Sequence, residues 1–299
     1  MFHVAPVFGR NPGGRTEPGV TRFIGSSRNL QESKWVLLGI PMDFTVSRKS
    51  GSRFGPESIR AESYNLETYS PALDRDLSEV TFFDLEDLHF PYGDVLQALD
   101  TAERVAQRLM ARGKRIGSLG GEHLVSLPLI RAAASREPEL RVIHFDAHAD
   151  LRTSLRGGTL SHSSVMRHVA QSCLGETGRL YQFGIRSGCR EEMAWGKAHT
   201  RLYLDDVLEP LSRRLDELKP FPVYLSIDID VVDPAAAPGT GTPEAGGISA
   251  RELLEAIRTM KGLNLVGFDL VEVAPDLDVN NVTSALAAKC VREILLQWG

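Results

Sequence analysis

Asp146, His148 and Asp150 stand at every second position where an apolar run, 140–145, gives out. In extended backbone, side chains at i, i+2 and i+4 point to the same side. The three groups therefore converge on one point at the end of a strand. An isolated carboxylate in an apolar setting costs several kcal/mol or takes up a proton, so two Asp and a His together need a counter-charge, and a divalent cation is the obvious one. The pattern recurs at Asp228 and Asp230, two residues apart where the run 223–225 ends. A third run, 115–119, closes in Gly-Gly-Glu-His. Paired glycines allow a tight turn and a close approach, and they bring His123 to the same edge. A solvated turn or a loop-capping Asp accounts for either acidic cluster taken singly, but the two together with His123 favour a metal site. Four Asp and two His suit two divalent ions. Carboxylate and imidazole without thiolate favour manganese over iron, cobalt, nickel or zinc. Four carboxylates balance two dications and leave room for a bridging hydroxide, and paired metals make hydroxide a nucleophile at neutral pH.

The elements that must position these groups follow from the apolar patterns. Strands are expected at 35–40, 80–83, 115–119, 140–145, 180–184, 201–204, 223–229 and 263–270. Helical spacing marks 58–67, 94–112, 126–134, 164–173, 190–199, 208–218, 250–260 and 283–298. Strand and helix alternate with no linker or repeat, which implies one three-layer α/β/α domain around a mostly parallel, roughly eight-stranded sheet. Ligands in such sheets bind beyond the carboxyl ends of the strands. Residues 1–33, rich in Gly, Pro, Arg and Ser without periodicity, read as an N-terminal arm, and 34–299 as the domain.

The chain has 299 residues and a net charge of −5, enough for a substantial core and without a basic face for nucleic acid. Cys173, Cys189 and Cys290 form no CxxC pair, which suits a reducing compartment and excludes a disulfide scaffold or zinc finger. No secretory h-region is present, and no apolar run approaches the ~18 residues of a membrane span. A cytoplasmic location with no nucleic-acid or membrane partner is expected.

Three segments carry a specific resemblance: Gly-Gly-Glu-His at 120–123, Phe-Asp-Ala-His-Ala-Asp-Leu-Arg at 145–152, and Ser-Ile-Asp-Ile-Asp-Val-Val-Asp-Pro at 226–234. They resemble the three signatures of the ureohydrolase family, which includes arginase, agmatinase, guanidinobutyrase and formimidoylglutamase. The stretches 237–247 and 269–275 match as well, and the likeness extends from about residue 37 to the C-terminus. The resemblance implies an arginase-like fold and two Mn2+ per subunit. His123, Asp146, Asp150 and Asp228 would ligate one ion, and Asp146, His148, Asp228 and Asp230 the other, with Asp146 and Asp228 bridging. Glu272 matches the acid that binds the substrate guanidinium, His162 the histidine that shuttles protons near the pocket mouth, and Thr242 falls in the matching substrate-binding run. Asp150 and His162 are then the acid–base groups, and trimers or hexamers are implied.

The substrate class follows in the same way. The family hydrolyses small cationic guanidines to urea and an amine. Arginases carry an Asn in the segment before the equivalent of His162, and here Gly158-Thr159-Leu160-Ser161 lacks it. The Ser161-His162 segment, the run 238–242 and the stretch 52–60 look most like agmatinase, which makes putrescine for polyamine biosynthesis. Lys49-Ser50-Gly51 and Ser163-Ser164 depart from the common agmatinase pattern. A carboxylate-tailed guanidine such as 4-guanidinobutyrate is the alternative, with Arg48, Lys49 or Arg152 as partners for its tail. A deacetylase reaction on the same metal site and a non-catalytic relative are the remaining readings.

Overall fold

In a computed structural model of the chain, residues 22–175 and 178–299 are described. The strands are β1 (Trp35–Ile40), the short β2 (Tyr69–Ser70) and β3 (Arg75–Asp76), then β4 (Phe82–Asp87), β5 (Arg115–Gly120), β6 (Arg141–Phe145), β7 (Leu180–Ile185), β8 (Arg201–Leu204), β9 (Pro222–Asp228) and β10 (Asn264–Val271). β2 and β3 form a separate antiparallel pair. The other eight make one sheet in the order β4-β1-β5-β10-β9-β6-β7-β8, parallel throughout.

Strands buried on both faces read as continuous apolar runs because successive side chains enter different cores. Trp35 and Leu37 of β1 pack into one core with helices α1 (Gly55–Ser63), α8 (Ala250–Thr259) and α9 (Val282–Trp298). Val36, Leu38 and Ile40 pack into the other with α2 (Val95–Met110) and α3 (Ser126–Arg136). The helices α4 (Val165–His168), α5 (Arg190–His199), α6 (Leu208–Ser212) and α7 (Leu215–Leu218) complete the three layers.

Several boundaries depart from the sequence-based expectation. The helix expected from residue 58 begins at Gly55, with Pro56 in its first turn, where a missing N–H costs nothing. A Cβ on Gly55 would lie 2.6 Å from the Val273 carbonyl, so only glycine fits this approach. The strand expected at 80–83 starts at Phe82, because Asp76 caps a short turn at Leu77–Glu79 that Val80 ends. The helix expected at 208–218 breaks into α6 and α7 at Arg213-Arg214, and the one at 164–173 ends in a π-turn, Val169–Cys173. Of the expected arm, residues 1–21 lie outside the described residues. From residue 22 onward the chain runs along β4, with the Phe23 amide on Asp84 Oδ2 at 2.8 Å and its ring in the core.

The order in which the strands are laid down positions the site. After β5 the chain passes over two positions to place β6, then runs outward through β7 and β8. It returns to fill the gap with β9 and β10. The four neighbours β5, β10, β9 and β6 thus present their carboxyl ends side by side at the switch in direction, where α/β sheets bind ligands.

Candidate metal centre and substrate pocket

Each of those four strand ends delivers part of one cluster. From the turn after β5, His123 directs Nδ1 at three carboxylates: Asp146 Oδ2 at 3.1 Å, Asp150 Oδ2 at 3.3 Å and Asp228 Oδ2 at 3.3 Å. From the loop after β6, His148 places Nδ1 2.9 Å from Asp230 Oδ2 and 3.6 Å from Asp146 Oδ1. The structure thus gathers the six residues proposed as ligands into two groups that share Asp146. Asp146, His148 and Asp230 meet as one compact donor set. A second compact set contains His144, which the sequence reading did not single out.

The fit to cations rests on the donors themselves. The Ser226 hydroxyl gives its single proton to Asp269 Oδ1 at 2.6 Å, so it accepts from His123 Nε2–H at 2.9 Å. In the neutral ring this leaves Nδ1 as a bare lone pair, buried, facing three carboxylates, and with no hydrogen-bond partner among the described residues. Charge tells the same story. Burial alone would lower the pKa of His123, yet Asp146, Asp150 and Asp228 raise it well above the imidazole range. His148 is pushed up to about 12, with Asp230 overcoming the effect of burial. Burial and the neighbouring Asp146 push Asp150 up to about 7. The cluster carries more negative charge than two imidazoles offset, which is the electrostatic signature of a cation site.

Glu272 follows β10 and is 5% exposed. Its Oε1 accepts the His123 amide at 2.8 Å, and its own amide bonds to the Gly121 carbonyl at 2.9 Å. It holds φ at 63°, and Asp150 holds 52°. Left-handed backbone is uncommon outside glycine and concentrates at functional sites. Gly121 is required for a different reason: a Cβ there would lie 2.0 Å from the Met42 carbonyl oxygen. That contact docks the segment after β1 onto the site. Burial, and next the Glu122 carboxyl, push Glu272 up to about 8.

His162 is held by the same docked segment. Thr45 donates its hydroxyl and its amide to the two oxygens of Glu122, at 2.5 and 2.7 Å. The same hydroxyl accepts the His162 amide at 3.0 Å, and the Thr45 carbonyl accepts from His162 Nδ1 at 2.9 Å. A carbonyl can only accept, so Nδ1 carries the proton and Nε2 faces the Ser47 hydroxyl at 3.2 Å. Burial lowers the His162 pKa to about 4.

Several of these groups line a cleft of about 480 Å³. His148, Asp150, Asp228, Glu272, His162 and Thr242 all face it. Of the three cations offered as partners for a substrate tail, Arg152 reaches the cleft, 3.4 Å from Glu192. Arg48 instead donates to the Gly241 carbonyl at 3.1 Å, and neither it nor Lys49 lines the cleft. The sequence reading passed over Arg156, which does line it, and Thr45, Ser47 and Glu122, which fix His162. Glu122 sits inside the Gly-Gly-Glu-His motif, so its position was visible there; Thr45 and Arg156 lie in loops where spacing carries no signal.

The family model described as "Arginase family" matches residues 33–297. An agmatinase of Bacillus anthracis is 50% identical over 279 residues, covering 92% of this chain and 96% of that protein. The crystal structure of agmatine ureohydrolase of Thermoplasma volcanium is 33% identical with a TM-score of 0.85, covering 93% of this chain and 94% of that one. Proclavaminate amidino hydrolase from Streptomyces clavuligerus is 31% identical with a TM-score of 0.85, covering 93% and 97%. The three-layer fold built on a parallel eight-stranded sheet is the arginase-like fold.

Proposed function

This chain belongs to the arginase family and is a ureohydrolase, and we propose that the guanidine it hydrolyses is agmatine, giving putrescine and urea. The choice of agmatine is supported by the 50% identity to the agmatinase of Bacillus anthracis, and the observation that supports a guanidine in this cleft is the placement of Glu272. It is a buried carboxylate with one oxygen engaged by the His123 amide, and it lies in the same cleft as both acidic strand ends. A carboxylate in that position pairs with a planar guanidinium by charge-assisted hydrogen bonds.

Two manganese ions fit the donor set. His123, Asp146, Asp150 and Asp228 would hold one, and Asp146, His148, Asp228 and Asp230 the other, with Asp146 and Asp228 shared. Bound there, the pair supplies a hydroxide nucleophile at neutral pH. The protein's own groups do the remaining work. Glu272 holds the guanidinium in line for attack. Asp150 accepts the proton released as the nucleophile adds, and His162 carries a proton between bulk water and the departing amine through Nε2. Thr242 lines the same cleft. The same reading takes residues 34–299 as the catalytic domain and 1–33 as an arm. It also places the enzyme as a homo-oligomer in the cytoplasm, feeding polyamine synthesis.

A carboxylate-tailed guanidine is the second reading, and a specific observation favours it: Arg152 and Arg156 both line the cleft. Urea release by manganese-loaded protein from agmatine, arginine, 4-guanidinobutyrate and 3-guanidinopropionate separates the two. A preference for agmatine of ~10²-fold in kcat/KM, about 2.7 kcal/mol of transition-state discrimination, is expected. A preference for a guanidino acid would overturn the agmatine assignment and leave the chemistry of the floor in place.

A further inference from the structure

His144 and Gln182 are both completely buried polar side chains, and neither has a role in the chemistry described above. They face each other directly across the β6–β7 pairing. His144 Nε2 lies 2.8 Å from Asp146 Oδ2, and its Nδ1 lies 3.1 Å from the Gln182 side-chain nitrogen. That nitrogen also lies 2.8 Å from the Ala149 carbonyl, in the middle of the loop that carries Asp146, His148 and Asp150.

These contacts allow one assignment of protons. The Ala149 carbonyl can only accept, so the amide atom beside it is the NH2 group and not the oxygen. The second N–H of that group points at His144, so Nδ1 is the accepting nitrogen of the ring. The ring's proton is therefore on Nε2 and is donated to Asp146. The Gln182 oxygen turns the other way, 3.1 Å from the Thr200 hydroxyl, which sits at the end of α5. One amide thus sets the tautomer of His144 and ties the ligand loop to β7.

We propose that His144 and Gln182 are positioning residues for the metal centre: Gln182 fixes His144 in the tautomer that orients the shared Asp146 carboxylate, and it pins the ligand loop at Ala149. This rests on Asp146 being a metal ligand, and it assigns His144 to the support of that ligand rather than to the ligand set. Hydrogen-bond partners of this kind are worth about 10- to 100-fold in metal affinity.

The test is the manganese dissociation constant, measured by chelator competition on purified full-length variants whose folding is checked by circular dichroism and thermal melting. His144→Leu, which removes the donor, is expected to weaken manganese binding ~10- to 100-fold. His144→Gln, whose amide nitrogen reaches the place of Nε2, should restore most of it. Gln182→Met keeps the length and removes both donors, and ~10-fold weaker binding is expected. It carries the test if His144→Leu does not fold. KM for the guanidine should stay within about twofold in Gln182→Met, since Glu272 is untouched. Wild-type affinity in folded His144→Leu or Gln182→Met would overturn the inference. So would equal loss in His144→Leu and His144→Gln with none in Gln182→Met, which would make His144 a ligand. A wild-type protein that binds no divalent cation would overturn the metal centre itself, a result distinct from either.

Discussion

At the floor of the cleft, Asp228 and Glu272 line its surface and Asp146, Asp230 and His123 are buried with them, all five at the ends of four adjacent strands. At its mouth, Arg152 and Arg156 lie exposed on the loop after Asp150. A floor group moves only if the sheet moves, whereas a mouth group moves with its loop. The floor suits the demand of hydrolysing a guanidinium, which is a nucleophile held in one place. In the proposed binding mode the mouth would meet the tail of the substrate, the part that differs between guanidines. On the proposed function, the chemistry belongs to the sheet and the choice of substrate to the loops.

The sharpest way to break that division is at the floor. Asp230→Ala removes a buried carboxylate that also accepts the Ala147 amide at 3.1 Å, so it disturbs the adjacent ligand loop as well. Urea release is expected to fall by at least ~10³-fold for every guanidine alike, with about half the bound manganese lost by elemental analysis. A variant that kept its activity, or lost it for one substrate only, would show that the floor is not the shared catalytic unit.

The same division explains what could be read from the sequence. Asp146, His148, Asp150, Asp228 and Asp230 were legible because strand ends have a period of two, and a buried carboxylate is rare enough to need a reason; His123 was marked by the paired glycines before it, and Glu272 only by its match to the family motif. The six inner strands of the sheet were legible because strands covered on both faces are unbroken apolar runs. The central position of β9 and β10, laid last into the middle of the sheet, left no trace in local pattern. The left-handed backbone at Asp150 and Glu272 was equally hidden, since neither residue type announces it. Thr45 was invisible for another reason. It acts through its carbonyl and amide as much as its hydroxyl, and its partners Glu122 and His162 are 77 and 117 residues away. Arg48 and Lys49 looked like mouth cations by proximity to a motif, but the backbone turns Arg48 onto the Gly241 carbonyl.

His162 lies between floor and mouth, and its pH response sharpens the comparison. The unfolded chain protonates this histidine below about 6.5, whereas burial holds the native one neutral down to about 4. Between those values the unfolded state binds more protons, so the stabilising contribution present above about 6.5 is lost as the pH falls toward 4. Relative to His162→Asn, the wild type should lose a further ~1–3 kcal/mol of unfolding free energy across that window, measured by urea denaturation at a series of pH values. Parallel curves for the two proteins would mean that the native histidine titrates as freely as an exposed one. Thr45→Val, which removes the hydroxyl between Glu122 and His162, should lower kcat ~10-fold with less change in KM, and Thr45→Ser should recover most of it.

The smallest effect is expected at the mouth, and there its direction matters more than its size. Arg152 shares its charge with Glu192, while Arg156 contacts the Ser47 carbonyl, which offers no compensating charge. Agmatine would bring a second cation, its terminal ammonium, toward this rim. Arg156→Ala should therefore lower KM for agmatine by ~2- to 5-fold and raise it for 4-guanidinobutyrate, with kcat little changed for either. Both shifts should shrink at high salt, because an exposed charge is screened beyond about 10 Å at 0.1 M. A change in kcat common to both substrates would mean that Arg156 reaches the floor through Ser47 and His162. In that case the mouth would be mechanically part of the catalytic unit, and the loop after Asp150 would govern rate as well as choice.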